Sequence, residues 1–226
     1  MGLVYAFEMP ETLKSVEELL AKVNSLLESS TGRVIIGVVG KPGAGKSTIT
    51  DYIMKNIKIK AALVPMDGYH LSNKVLIELG RRDRKGAPDT FDAKGFTSLL
   101  ERIRNNVNED VYFPVFHREF EESYAAEGVV EAGTRLVLTE GNYLLVDDQN
   151  WGGIRPLLDE SWYLAPNDAI RQERLIGRHM KYGKTQEEAE FWSLGSDEAN
   201  AQVVAGSSKY ATRIVEIAQW HKSKHR

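Results

Sequence analysis

The sequence predicts an α/β protein in which a parallel sheet is covered by helices on both faces. Short apolar runs, each suited to one buried strand, alternate with segments whose apolar residues recur at helical spacing. Three of these runs end in a polar or glycine-rich segment, at 40–48, at Asp67 and at Glu140. Because such sheets bind ligands at the carboxyl ends of their strands, these segments predict that the functional site lies at this edge of the sheet, which we call the functional edge.

The composition is that of an ordinary globular chain. Of the 226 residues, 42% are hydrophobic and 27% are charged, which suits a single domain over residues 1–226. The formal net charge of −3 argues against a nucleic-acid partner, and the lack of cysteine excludes disulfides and thiolate sites. The longest apolar runs are too short to cross a bilayer, and residues 1–10 do not resemble a secretion signal. We therefore expect a cytoplasmic protein without a membrane partner.

The amino-terminal half contains three predicted helices and two predicted strands. Residues 12–27 carry apolar side chains at helical spacing, and the unbroken apolar run at 34–39 predicts a buried strand. A helix is expected to begin near Lys46 and to run through residue 54. A second strand is predicted at 61–66, and an amphipathic helix at 96–107.

The carboxyl-terminal half continues the alternation. The apolar segments 136–139 and 162–164 predict the third and fourth strands of the sheet. Helical spacing predicts helices at 169–182 and 186–194, and a terminal helix at 211–221.

The segment between the first predicted strand and its helix carries the pattern GxxxxGK[ST], a phosphate-binding loop. Its glycines let backbone N–H groups surround a phosphate, and the positive end of the following helix points at the same anion. We expect Lys46 to contact the β- and γ-phosphates of a nucleoside triphosphate, and the Ser47 hydroxyl to bind Mg²⁺. The predicted nucleotide-binding residues are Gly40, Lys41, Pro42, Gly43, Ala44, Gly45, Lys46, Ser47 and Thr48.

Two carboxylates follow predicted strands beside this loop. Asp67 could accept the proton of an attacking hydroxyl, or it could simply form a turn with Gly68. Glu140 could support Mg²⁺, directly or through water, or it could have a structural role.

Three arginines are spaced three and four residues apart in the predicted helix 169–182. Arg171, Arg174 and Arg178 would share one helix face, where guanidinium groups could stabilise a transferring phosphoryl group. The alternative is a solvated charged face. With the glycine break at Gly183, the pattern predicts a helical lid at about 169–185.

The segments 81–86 and 87–92 supply further candidates. The first is a basic loop that could bind an anionic substrate or be solvated. In the second, Asp89 could bind substrate hydroxyls and Asp92 could cap the next helix. His117 is one of five histidines and could be a surface residue or a substrate contact.

Together these segments resemble the family of uridine kinases, phosphoribulokinases and bacterial pantothenate kinases over about residues 33–204. Besides the phosphate loop, the resemblance rests on residues 66–69, 87–92, 113–117, 138–145, 171–179 and 197–201. The family's strand-end aspartate corresponds to Asp67, and its arginine-bearing lid to 171–179. Uridine kinases carry an aspartate where His117 stands, so the resemblance favours the small fructokinase-like or pantothenate kinase-like members.

This resemblance implies a P-loop NTPase fold with ATP and Mg²⁺ as cofactors. It also implies that segments holding Tyr69, Asp89, His117 and Asn200 contact the acceptor substrate.

The principal hypothesis is an ATP-dependent kinase that phosphorylates a hydroxyl of a small metabolite, such as a sugar or a pantothenate-like acid. Its catalytic residues would be Lys46, Asp67, Arg174 and Arg178, with Ser47 and Glu140 at the metal. The alternatives are a uridine or nucleoside kinase, a GTP-dependent switch, and a nucleotide-binding module without catalysis. The switch matches only a short DxxG pattern at 92–95, and the sequence contains no [NT]KxD guanine-reading motif. The sequence leaves a homodimer open.

Overall fold

The computed structural model describes residues 10–217 of the chain. Eight strands occur in this part, namely β1 (Glu11–Leu13), β2 (Val34–Gly40), β3 (Ala61–Pro65), β4 (Val111–His117), β5 (Glu122–Val130), β6 (Leu136–Gly141), β7 (Glu160–Leu164) and β8 (Arg213–Val215). The α-helices within residues 10–217 are α1 (Val16–Ser29), α2 (Lys46–Asn56), α3 (Asn73–Glu78), α4 (Ala93–Asn105), α5 (Asp168–Lys181), α6 (Gln186–Leu194) and α7 (Ser196–Ser207). Across residues 10–217, no helix combines the length and the apolar character needed to span a membrane.

Six strands form one parallel sheet in the order β1-β8-β7-β2-β6-β3. Strand β2 lies inside the sheet, pairs with β6 and β7, and is buried along its whole length. The phosphate loop, which follows β2, therefore shares one edge of the sheet with the ends of β3 and β6. The predicted α/β fold with a parallel sheet is confirmed.

Each face of the sheet packs against its own apolar cluster. Alternate residues of β2 enter different clusters, because successive strand side chains point to opposite faces. Ile35 and Val39 pack in the cluster that contains Phe96 of α4. Ile36 and Val38 pack in the cluster of α1 and α2. The sheet is thus covered by helices on both faces, which fixes the direction of the strand ends.

The two ends of the described chain depart from the sequence prediction. Helix α1 begins at Val16 rather than at residue 12, because the Ser15 side chain caps it by accepting a hydrogen bond from the Glu18 backbone N–H at 3.2 Å. The residues before the cap form β1, which pairs with β8. The predicted helix 211–221 is wrong over 211–217, where β8 pairs with β7, and the rest of that prediction lies outside the described residues.

Strands β4 and β5 form a separate antiparallel hairpin beside the functional edge. The 3-10 turn Met66–Tyr69, which follows β3 and carries Asp67, approaches this hairpin closely. A methyl group added at Gly68 would lie 2.0 Å from the Pro114 carbonyl oxygen of β4. Only glycine permits this contact, which places the hairpin directly over the end of β3.

Candidate active site

A cavity of about 940 Å³ opens at the carboxyl edge of the parallel sheet. The phosphate loop and the start of α2 form its floor, with Asp67 and Glu140 beside them. Helix α5 contributes Arg174 and Arg178 from above. The cavity therefore brings together all the residues predicted from the sequence to be catalytic or metal-binding.

The geometry of the phosphate loop comes from its glycines. Gly43 and Gly45 adopt φ angles of 80° and 94°, which side-chain-bearing residues rarely do. A methyl group at Gly43 would also lie 2.7 Å from the Arg171 carbonyl oxygen. The loop is thus bent tightly against α5, and α2 begins directly after it with its backbone N–H groups facing the cavity. This arrangement fits an anion such as the phosphates of ATP.

The Lys46 ammonium lies within hydrogen-bond reach of both the phosphate loop and the residue that follows β6. Its Nζ donates to the Gly40 carbonyl oxygen at 2.9 Å and to Asn142 Oδ1 at 2.6 Å. Although part of the side chain faces the cavity, protein atoms enclose the ammonium, and this burial lowers the pKa of Lys46 to about 8. A bound polyphosphate would favour the charged form.

Glu140, at the end of β6, joins two hydroxyl groups of α2. Ser47 Oγ donates to Glu140 Oε1 at 2.8 Å, and Thr50 Oγ1 donates to Oε2 at 3.0 Å. Burial raises the pKa of Glu140. These oxygens suit Mg²⁺, which keeps most of its coordination for water and phosphate oxygens. Within residues 10–217, no group of three or more His, Cys, Asp or Glu side chains is placed to hold a metal ion.

Asp67 is held by a cation from the hairpin. Arg118 Nη2, just past β4, donates to Asp67 Oδ2 at 2.7 Å. Burial alone would raise the pKa of Asp67, but the positive charges of Arg118 and Lys46 act in the opposite direction, and the pKa lies below its usual value. Asp67 is therefore an ionised carboxylate at the mouth of the phosphate loop, where it can accept a hydrogen bond or a proton.

The three arginines of α5 do not share one environment, contrary to the prediction from their spacing. Arg171 is fully buried and donates to Asp168 Oδ1 at 2.7 Å, to Glu198 Oε2 at 2.6 Å and to the Pro42 carbonyl oxygen at 3.2 Å. It ties α5 to the phosphate loop and to α7. Arg174 and Arg178 line the cavity, and Arg174 Nη1 would lie 3.7 Å from a methyl group at Gly45.

Of the four residues predicted to contact the acceptor, the structure places one in the cavity lining. Asn200, on α7, is buried and lines the cavity. Asp89 is exposed and accepts hydrogen bonds from Arg84. His117 Nε2 pairs with Glu127 Oε2 at 2.7 Å, and the Tyr69 ring packs 5.3 Å from Phe96. These last three do not line the cavity, since each is held by contacts outside it.

Several lining residues were not predicted as site residues. His70 Nδ1 lies 2.7 Å from the Asp67 carbonyl oxygen, and because a carbonyl only accepts, Nδ1 carries the hydrogen. Its ring lies 4.0 Å from Phe91 and 4.5 Å from Phe116. Nε2 of the neutral ring is then an acceptor. Arg118 was also missed, although it adjoins His117 in a segment that the sequence had marked.

Comparison with known proteins identifies the family of this chain. The phosphoribulokinase / uridine kinase family matches residues 35–217. The chain is 33% identical over 192 residues to protein YggC of Escherichia coli (strain K12), covering 83% of this chain and 79% of that protein. It is 34% identical over 191 residues to "Putative uridine kinase C227.14" of Schizosaccharomyces pombe, covering 78% of this chain and 80% of that protein.

A solved structure shows the same fold. The "putative fructose transport system kinase" from Silicibacter sp. TM1040 superposes with a TM-score of 0.81 at 32% identity, covering 89% of this chain and 99% of that chain. The match over residues 35–217 spans the parallel sheet except β1 and the first residue of β2, and it includes the phosphate loop and the arginine-bearing helix. With its P-loop kinase fold, the chain belongs to the phosphoribulokinase / uridine kinase family.

Proposed function

We propose that the protein is an ATP- and Mg²⁺-dependent kinase that transfers the γ-phosphoryl group to a hydroxyl of a small metabolite. The observation that carries this proposal is the placement of the ionised Asp67 carboxylate in the same cavity as the phosphate loop. Arg118 orients this carboxylate without blocking both of its oxygens. A hydroxyl bound between Asp67 and the loop would face the phosphate that it attacks.

Each residue has a role that follows from its contacts. Lys46 and the loop amides would bind the β- and γ-phosphates, and Ser47 with Glu140 would hold Mg²⁺, which neutralises phosphate charge. Asp67 would take the hydroxyl proton while a bond forms between the acceptor oxygen and the γ-phosphorus. The bond from this phosphorus to the bridging oxygen breaks, and ADP leaves. Arg174 and Arg178 would stabilise the negative charge that develops.

A sugar or a pantothenate-like acid is the acceptor class that we propose. Relatives support more than one acceptor, since one similar structure is described as a fructose transport system kinase and one similar protein as a uridine kinase. A nucleoside kinase therefore remains the alternative. We propose no nucleic-acid or membrane partner, and a homodimer stays a prediction that light scattering of the purified protein would check.

The first experiment measures ADP release with ATP, Mg²⁺ and a panel of sugars, pantothenate and nucleosides. We expect acceptor-dependent release with a sugar or pantothenate and slow release with uridine. A switch protein would instead prefer GTP and need no acceptor. Binding of ATP without acceptor-dependent ADP release from any class in the panel would contradict the kinase proposal.

Asp67→Asn tests the role of the carboxylate. The substitution keeps the size of the side chain but removes its ability to take a proton, so kcat should fall by about 10²- to 10⁴-fold. Affinity for a non-hydrolysable ATP analogue should stay near the wild-type value. The exposed Asp51→Asn on α2 serves as the matched control and should leave kcat unchanged. A wild-type kcat in Asp67→Asn would remove Asp67 from the chemistry.

A further inference from the structure

The basic segment 81–86 contains four cationic side chains, and the Asp89 carboxylate pairs with two of them. Asp89 accepts hydrogen bonds from Arg84 and lies 3.5 Å from Arg81 Nε. These two arginines are thereby paired outside the cavity. The other two cations, Arg82 and Lys85, line the cavity. Two of the four positive charges in this segment therefore line the cavity.

Neither cavity-facing cation is paired with a carboxylate by a hydrogen bond within residues 10–217. Lys85 Nζ donates to Asn73 Oδ1 at 2.8 Å and to the Glu121 carbonyl oxygen, both of which are neutral acceptors. An ammonium has three N–H groups, so one remains. Partial burial lowers the pKa of Lys85, and the nearby carboxylates of Glu121 and Glu122 act in the opposite direction. Glu122 Oε1 accepts a hydrogen bond from the Asn73 backbone N–H.

The Phe116 ring lies between Lys85 and the Arg118 guanidinium that holds Asp67. Lys85 Nζ lies 5.3 Å from the ring centroid and Arg118 Cζ lies 6.0 Å from it. Arg118 in turn holds Asp67. The His70 ring stacks on Phe116 at 4.5 Å. This side of the cavity therefore presents the Asp67 carboxylate and, across an aromatic ring, the Lys85 ammonium.

We propose that Arg82 and Lys85 form an anion subsite for the acceptor, so that the acceptor carries a carboxylate or phosphate as well as the hydroxyl that is phosphorylated. The proposal rests on the kinase function proposed above and adds the substrate class. The anion would bind Lys85 and Arg82, and His70 Nε2 would accept a hydrogen bond from an acceptor hydroxyl. Two carboxylates that line the cavity already have partners, since Asp67 pairs with Arg118 and Glu119 Oε1 lies 3.4 Å from His117 Nδ1.

The test compares three probes that share a three-carbon skeleton. Glycerol is neutral, D-glycerate carries a carboxylate, and glycerol 3-phosphate carries a phosphate. Each is titrated calorimetrically into the protein already saturated with Mg²⁺ and a non-hydrolysable ATP analogue, which occupies the phosphate loop. We expect at least one anionic probe to bind saturably and at least tenfold more tightly than glycerol, and the tighter of the two identifies the anion.

Substitutions then assign the binding to the subsite. Lys85→Met and Arg82→Met should each weaken binding of the preferred anion by about tenfold or more, because each removes a charged hydrogen-bond donor. Lys55→Met, an exposed lysine at the far end of α2, should bind it as the wild type does. Melting curves of each variant report on folding.

The outcomes separate this inference from the proposed kinase function. Equal binding of glycerol and both anions, or wild-type anion binding by Lys85→Met and Arg82→Met, would overturn the anion subsite. If the ADP assay at the same time showed turnover of a neutral sugar, the kinase function would stand alone. Conversely, Lys85-dependent anion binding without any acceptor-dependent ADP release would leave the subsite standing and remove the kinase function.

Discussion

At the scale of single residues, burial makes the charge of Lys46 depend on pH and on the bound nucleotide. Its ammonium donates to backbone and amide oxygens rather than to a carboxylate. Burial lowers its pKa to about 8, while Glu140 and Asp67 act in the opposite direction. The nucleotide-free protein therefore begins to lose this charge just above neutral pH.

Nucleotide binding should consequently depend on pH in alkaline solution. A bound polyphosphate raises the pKa of Lys46, so above about pH 8 binding must be accompanied by proton uptake. Below about pH 8, Lys46 is charged both with and without nucleotide, so its titration should not change the affinity for a non-hydrolysable ATP analogue. Above that pH the affinity should fall by up to about tenfold per pH unit. Calorimetry at pH 7 to 9.5 measures this.

Lys46→Met is the control for the pH dependence. It should bind the analogue more weakly at neutral pH and should show no decline between pH 8 and pH 9.5, because the titrating group is gone. A wild-type affinity that is flat up to pH 9.5 would mean that Lys46 stays charged without nucleotide.

Residue type and spacing predicted the loop and both strand-end carboxylates, but not the direction of several side chains. Glu140 lies at the end of β6, while Asp67 follows β3 and the phosphate loop with Lys46 follows β2, so the parallel sheet fixes where they lie. Asp89 and His117 lie in irregular or hairpin segments, where the nearest charged partner decides the orientation. Those partners are Arg84 for Asp89 and Glu127 for His117. No pattern in the sequence identifies such pairs.

At the scale of elements, helix α5 is fastened at its first turn. The buried Arg171 side chain bonds to Asp168, Glu198 and the Pro42 carbonyl oxygen. Lys41 of the phosphate loop adds a second contact to Asp168 at 2.9 Å. The start of α5 is thus held against the phosphate loop, although it belongs to the segment of about 169–185 that the sequence predicts to be a mobile lid.

Hydrogen exchange should therefore divide α5 and its neighbour into two parts. Amides near Arg171 should exchange slowly whether or not ligands are present, because closed packing already protects them. Amides from about 180 to 194 should slow only when an ATP analogue and an acceptor are both bound. The Phe191 side chain there is 78% exposed, so packing does little to hold this segment.

Arg171→Met is the matched variant for this prediction. It removes the three polar contacts while keeping an apolar side chain, and the first turn of α5 should then exchange faster in the absence of ligand. Arg174→Met, on an exposed position of the same helix, should not change the exchange of that turn. Uniform exchange along 168–194 in the wild type would contradict the conclusion that the first turn of α5 is held in place without ligand.

At the scale of the whole molecule, the sheet was predicted better in its centre than at its edges. Strands β2 and β6 are long apolar runs that only a buried strand explains. Strands β1 and β8 have three residues each, too few for a period, and their pairing with distant strands sets their conformation. The helix expected at 211–221 fails over 211–217 for this reason.

The hairpin and the parallel sheet meet closely at Gly68, where both contribute residues to the cavity. The turn after β3 supplies Asp67, and the hairpin supplies Phe116 and Arg118. A methyl group at Gly68 would lie 2.0 Å from the Pro114 carbonyl oxygen, so two backbones would have to separate. Such a separation would lengthen the contact between Asp67 and Arg118.

Gly68→Ala should therefore reduce acceptor phosphorylation much more than nucleotide binding. We expect kcat/KM for the acceptor to fall by about tenfold or more and the melting temperature to drop, since overpacking costs about 1–3 kcal/mol. Affinity for a non-hydrolysable ATP analogue should change little, because the phosphate loop follows β2 and does not contact the hairpin turn. Gly206→Ala in α7, where nothing lies within 4 Å, should be neutral or stabilising by about 0.5–1 kcal/mol. Equal losses of acceptor turnover and nucleotide affinity in Gly68→Ala would show general unfolding rather than a displaced hairpin.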